Sequence, residues 1–163
     1  MSSKMNTGMN MRRKVFLAIT LLCMAAIFQF SSRTGAESTG DSYFVGNIVG
    51  EVFVPGFDKW SPEEQQAFAE KIDHPVRKTA HAMEYAVLGL LTAGAFIDRR
   101  TSIRAGILVP WCIATAYAAS DEVHQLFVPG RSGQVSDVIL DSAGVLAGLL
   151  VLAAVRKIRR RTG

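Results

Sequence analysis

The run VILDSAGVLAGLLVLAAVRKIRRR, residues 138–161, decides the fold. From Val138 to Val155 it is apolar except for Asp141 and Ser142, and it stops abruptly at Arg156-Lys157. At ~1.5 Å per residue such a helix crosses most of a hydrocarbon layer about 30 Å thick. A basic run directly beyond it is the flank expected on the cytoplasmic side. Outward from this stretch, three more apolar runs have the same character. They cover about residues 15–30 after Arg12-Arg13-Lys14, about 79–97 before Asp98-Arg99-Arg100, and about 103–119. The chain has 163 residues, 49% of them hydrophobic and 20% charged, and the two kinds are segregated along its length. The expectation is one domain over residues 1–163. It is an all-α integral membrane protein, a four-transmembrane-helix bundle whose outer loop, residues 31–77, carries an amphipathic helix. The first run could also be a secretory signal, but Phe28, Gln29 and Phe30 stand where a small-residue cleavage site would be, so it reads as a retained span.

Charge sets the direction. With both termini inside, the outer segments hold Arg33, Lys59, Lys71, Arg77, Lys78 and Arg131, and the other twelve basic residues lie inside or at the inner flanks. Of the 14 acidic residues only Asp98 falls inside. A net charge of +4 could suggest nucleic acid. The basic residues, however, sit in tight groups beside apolar runs, so they read as topology anchors and no nucleic-acid partner is expected. Cys23 and Cys112 both fall within spans and read as small buried hydrophobes.

The outer loop begins with a polar, Gly/Ser-rich stretch, Ser31 to Ser42. An apolar patch from Tyr43 to Phe57 follows, interrupted by Gly46, Gly50 and Pro55, and suits a short helix in the headgroup layer. Ser61, Pro62 and Glu64 then form a helix start with a capping box. Phe68 and Ile72 share one face of that helix, and His74-Pro75 is expected to end it. The helix is either a lid or, more plainly, packing against the bundle.

Topology gathers three polar clusters at the outer surface. Lys78, His81, Glu84 and Tyr85 open the second span; Lys78, His81 and Tyr85 fall within about 60° of one another around a helix. Asp121, Glu122, His124 and Gln125 stand at the end of the third. Arg131, Asp137 and Asp141 lead into the fourth, where Gly144 and Gly148 allow close approach by a neighbouring helix. Ionisable groups are expensive in a membrane, so they are expected to face inward and pair. As a catalytic site, His81 is the acid or base, with Asp121 and Glu122 orienting it. As a binding site, Lys78, Tyr85, Gln125, Arg131, Asp137 and Asp141 hold a polar or anionic ligand. As a brace, the same charges are an ion-pair network joining spans. His81, Glu84, Glu122 and His124 are chemically acceptable metal ligands, but their spacing matches no tight metal motif, and no metal is expected. His124 reads as a water-exposed interfacial residue, Pro110 as a tolerated kink, and Trp111 as mid-span packing. The turn Phe127-Val128-Pro129-Gly130 is expected to bring Arg131 over Asp121 and Glu122.

Three strings carry a resemblance. They are Lys78-x-x-His81-x-x-x-Tyr85; then Ser120-Asp121-Glu122-x-His124-Gln125-x-Phe127-x-Pro129-Gly130-Arg131-Ser132; then Asp137-x-x-x-Asp141-x-x-Gly144. With Phe30-Ser31-Ser32 after the first span, they resemble the VanZ-like family over about Val15 to Val155. One departure is Asp141, where that family often carries Asn. The resemblance implies a small protein of the bacterial cytoplasmic membrane with an envelope role and a contribution to low-level glycopeptide (teicoplanin) resistance. The partners it suggests are membrane lipids and a lipid-linked or cell-wall precursor or a glycopeptide. Cofactor, and the choice between catalysis and binding, stay open.

Overall fold

Ser61 accepts a hydrogen bond from the Glu64 amide at 3.2 Å, and the Glu64 carboxylate accepts one from the Ser61 amide at 2.8 Å. With Pro62 at the first helical position, this capping box starts the longest element. The computed structural model describes residues 10–97 and 101–162. Lys4 and the inner-flank residues Asp98, Arg99 and Arg100 lie outside the described residues. Five α-helices run through the described residues: α1 (Met11–Ser31), α2 (Gly35–Phe53), α3 (Pro62–Phe96), α4 (Ile103–Gln125) and α5 (Val135–Thr162), with a 3-10 turn at Phe57–Lys59.

Three helices are long and apolar enough to cross a membrane: Met11–Ser31, Ile103–Gln125 and Val135–Arg159. In their most apolar windows only 17%, 22% and 17% of residues are buried inside the protein. Leu21, Leu22, Leu150 and Val151 point outward, as do many other large apolar side chains. So much exposed hydrocarbon is stable only against lipid. The second expected span, about 79–97, lies in the C-terminal half of α3 and does not reach the same apolarity, because His81 and Glu84 fall within it.

That half of α3 nonetheless sits at the centre. α3 packs against α1, α2, α4 and α5, and the core is built around its Tyr85, Leu88 and Ala93, with Ala114 and Ala118 of α4 and Val145 and Leu149 of α5. α3 and α5 come close because Gly144 and Gly148 have no side chains. A Cβ on Gly144 would run into the Ala82 carbonyl oxygen, and one on Gly148 would lie 2.8 Å from that of Ala86. Trp111, expected as mid-span packing, lies against this core and donates its indole N–H to Ser142 Oγ at 3.0 Å.

Three expectations are corrected. His74-Pro75 does not end a helix, since α3 runs unbroken through Pro75. Proline removes one amide donor, and the carbonyl it leaves unpaired belongs to exposed Lys71, where water can serve it. The Gly/Ser-rich stretch is also helical from Gly35. Thr34 caps it, its hydroxyl accepting from the Glu37 amide at 3.3 Å, and the Thr34 amide donates back to the Glu37 carboxylate at 2.8 Å. The Thr34 amide, and then the Thr34 hydroxyl donating to the same carboxylate oxygen at 2.8 Å, hold the Glu37 carboxyl below its usual pKa range. The apolar patch thus belongs to a longer helix than expected. α2 lies on the first half of α3 through Gly46 against Ala69 and Tyr43 against Glu70, and leaves Phe44, Val52 and Phe53 on its outward face. Finally, the third span continues past Ala119 to Gln125, so the second polar cluster, expected at its end, lies within its last turns.

Candidate functional site

At one end of the bundle α3, α4, the turn after α4 and the start of α5 enclose a cavity of about 130 Å³. Lys78 and His81 reach it from α3, Glu122 and Gln125 from α4, Arg131 from the turn, and Asp137 and Asp141 from α5. Seven of the nine expected site residues therefore share one hollow. The other two, Tyr85 and Asp121, are buried beneath it at 0% and 2% exposure.

Helix phase explains the α3 side. His74, Arg77, Lys78 and His81 are spaced by three and four, so one stripe of α3 faces the cavity. His74 and Arg77 join this stripe because α3 runs unbroken through Pro75. Lys78 Nζ lies 2.5 Å from Asp137 Oδ1, tying α3 to α5. His81 Nδ1 is 3.8 Å from Asp141 Oδ2, within ion-pair reach but beyond a hydrogen bond. Asp141 is 1% exposed, and that same oxygen has no hydrogen-bond partner among the described residues.

The α4 carboxylates are held differently. Asp121 Oδ2 accepts from the Ser31 hydroxyl at 2.7 Å, joining the ends of α1 and α4. Gln125 Nε2 approaches Asp121 at 3.4 Å and Glu122 at 3.3 Å. The other Glu122 oxygen accepts the Gln134 amide at 2.8 Å, which fastens the loop before α5 to α4. Ser31 and Gln134 were not among the expected site residues, because nothing local in the sequence pairs either with a carboxylate about ninety or twelve residues away.

The turn forms as expected, with Gly130 at φ 74°, a left-handed conformation that favours glycine. Its Arg131, however, does not bond Asp121 or Glu122. Nε donates to the Arg33 carbonyl at 3.2 Å and Nη2 approaches the Phe30 carbonyl at 3.5 Å. These carbonyls end α1 and the link behind it, where orphan acceptors attract a cation. Burial, and then neighbouring Arg77, hold the Arg131 guanidinium below its usual pKa. His124 is half-exposed. It stacks on Phe28 at 4.3 Å, with Nε2 3.1 Å from Ser32 Oγ, and so turns toward α1 and away from the cavity. His81, Glu84, Glu122 and His124 are thus not brought together, and among the described residues no group of three His, Cys, Asp or Glu is arranged to hold a metal.

Chemically, the hollow combines a histidine backed by a buried carboxylate, a second carboxylate fixed by a main-chain amide, and three cations, Arg77, Lys78 and Arg131. That set can move a proton or grip an anionic group.

No curated protein and no solved structure matches the chain. The family model described as VanZ/LLP1 matches residues 16–156, which include all five helices in whole or large part and every residue of the cavity. With its apolar membrane-crossing helices and this span of match, the chain is a membrane protein belonging to the VanZ/LLP1 family.

Proposed function

We propose that the cavity faces the outside of a bacterial cytoplasmic membrane and receives the polar end of a lipid-linked or peptidoglycan-related ligand, and that through it the protein contributes to glycopeptide (teicoplanin) resistance. The observation that supports this reading is the convergence of Lys78, His81, Glu122, Arg131 and Asp141 on one hollow from four separate parts of the chain. Lys78 and Arg131 suit a phosphate or carboxylate, and Gln125 and Glu122 suit amide and hydroxyl groups. If a bond is broken, His81 is the group to carry the proton, with Asp141 and Glu122 beside it; Asp121 acts from below by positioning α1 and Gln125.

The same reading takes the second half of α3 as a fourth crossing. Its support is a matter of parity. α1 and α4 run the same way, with Ser31 bonded to Asp121 at their C-terminal ends. Arg13 Nε donates to the Ala95 carbonyl at 3.0 Å, placing the start of α1 beside the end of α3. Two helices that cross a membrane in one direction need a return between them, and α3 is the helix that packs on both. Arg12, Arg13, Arg104 and the run from Arg156 then flank the inner face, which favours cytoplasmic termini.

A second reading has its own observation. The Lys78–Asp137 and Ser31–Asp121 bonds join helix to helix and would brace the bundle with no ligand at all. One experiment separates the two. The native chain, Glu122→Gln and His81→Ala are expressed in a teicoplanin-sensitive host at matched membrane abundance, and the minimum inhibitory concentration is measured. The expected result is a rise with the native chain alone. Variants that vanish from the membrane would favour the brace, and no rise with a well-expressed native chain would remove the glycopeptide from the proposal.

A further inference from the structure

Three hollows follow one another along α3. The cavity already described shares Arg77, His81 and Arg131 with a second of about 180 Å³. That second cavity shares Phe30 and Glu84 with a groove of about 260 Å³ between α1 and α3. On α1 the groove is walled by Cys23, Ala26, Ile27 and Phe30, and on α3 by Met83 and Val87. Both sets are spaced by three and four, so each wall is a single helix face. Met83 is 65% exposed, Phe30 53% and Val87 50%. The groove therefore opens sideways, along helices whose outward surface is hydrocarbon, and not toward water.

Arg131 supplies an independent observation at the far end of this path. Arg33 pairs with Asp41, Arg77 with Asp73 and Lys78 with Asp137. Arg131 is partly buried, lines both cavities, and among the described residues has no carboxylate within ion-pair distance; its bonds go to main-chain carbonyls. A partly buried guanidinium with no carboxylate in direct contact, only Asp121, Glu122 and Asp73 at longer range, gains from an anion that joins it. At the junction between groove and cavity, Glu84 Oε2 is buried without a hydrogen-bond donor.

We propose that an anionic phospholipid enters sideways between α1 and α3, with one hydrocarbon chain in the groove and its phosphate against Arg131 where the two cavities meet. The sequence of apolar groove, junction, cation and polar cavity follows the order of groups along such a lipid. This rests on the outer-face reading above and narrows its ligand to a phosphate-bearing lipid taken from the bilayer.

The test uses the full chain in maltoside micelles, which carry no phosphate of their own. Phosphatidylglycerol with a diazirine on its acyl chain is titrated in, irradiated, and the adduct located by mass spectrometry. A diacylglycerol with the same diazirine chain is the parallel probe. Phosphatidylglycerol should give a saturable adduct on the peptides holding Ala26 to Phe30 and Met83 to Val87. Arg131→Gln should raise the concentration for half-saturation about tenfold, the loss of one charge-assisted contact, and Arg131→Lys should recover part of it. Val87→Trp, on the lipid-facing wall, should remove the adduct while helicity is kept. Equal saturation by diacylglycerol would overturn the proposal, as would adducts spread evenly over Leu21, Leu22 and Val151. The readout involves no glycopeptide. A saturable, Arg131-dependent adduct stands even where teicoplanin resistance does not rise, and a uniform one removes the groove even where it does.

Discussion

Asp121 shows how a single carboxylate can hold a membrane protein together. It is buried at 2% exposure and takes its shortest bond from Ser31 at 2.7 Å, while its other oxygen has no partner among the described residues. Removing the serine hydroxyl leaves a buried carboxylate short of donors. Ser31→Ala should therefore lower stability by about 1–2 kcal/mol, read as an earlier loss of helicity on denaturation in micelles. An unchanged midpoint would mean that Gln125, at 3.4 Å, already carries the carboxylate. Glu122 differs in kind, since its amide partner is main chain and survives any side-chain change at Gln134. Glu122→Gln keeps the shape and removes the charge, so it should spare insertion and act on function. That contrast is why it serves as the probe of the cavity and Ser31→Ala as the probe of the fold.

At the scale of the element, α3 and α5 form the seam on which the cavity depends. Lys78 and His81 face Asp137 and Asp141 across it, and the separation is set one and two turns deeper, at Gly144 and Gly148. A Cβ at Gly144 meets main chain that cannot rotate away, so Gly144→Ala should destabilise by about 1–3 kcal/mol. Gly148→Ala, with a 2.8 Å approach, should cost less. Thermal unfolding of the two variants side by side checks the order, and a reversed order would mean that α5 tilts about its inner end. Wedging the seam at Gly144 should also part Lys78 from Asp137, so that variant should lose function at temperatures where it is still folded. The ends of the elements are tied by charge as well. Arg12 and Arg13 reach the carbonyls of Gly94 and Ala95, and so a basic group that flanks one helix also caps the C-terminus of another.

For the whole molecule the question is which face meets which compartment. Under the proposed orientation, with α3 as a fourth crossing, a single cysteine at exposed Ala67 is expected outside and one at Thr162 inside. In a background lacking Cys23 and Cys112, Ala67→Cys should react with an impermeant maleimide in intact cells, and Thr162→Cys only after permeabilisation. Reaction at both positions in intact cells would mean an odd number of crossings, with α3 left on one side. The reverse pattern would turn the cavity toward the cytoplasm and remove the glycopeptide reading outright. The arrangement also accounts for the exposed hydrocarbon of α1, α4 and α5, because these three helices turn apolar faces outward around α3 and keep the polar residues of α4 and α5 at the cavity end.

By itself the sequence determined the apolar helices, their flanks and the outer capping box at Ser61, because each is written in neighbouring residues: a run long enough to cross, a cluster of arginines, a serine three residues before a glutamate. It also placed Lys78 and His81 on one face of α3 and Asp137 and Asp141 on one face of α5, since three- and four-residue spacing sets side chains on one side of a helix. The tertiary structure alone decided that α3 passes through Pro75, because the residue left without a bonded carbonyl happens to be exposed. It alone decided that Arg131 turns to the end of α1, that His124 lies against Phe28, and that Ser31 holds Asp121. Each of these joins parts of the chain far apart in sequence, and which donor reaches which acceptor depends on how the helices are set against one another, which no local pattern records.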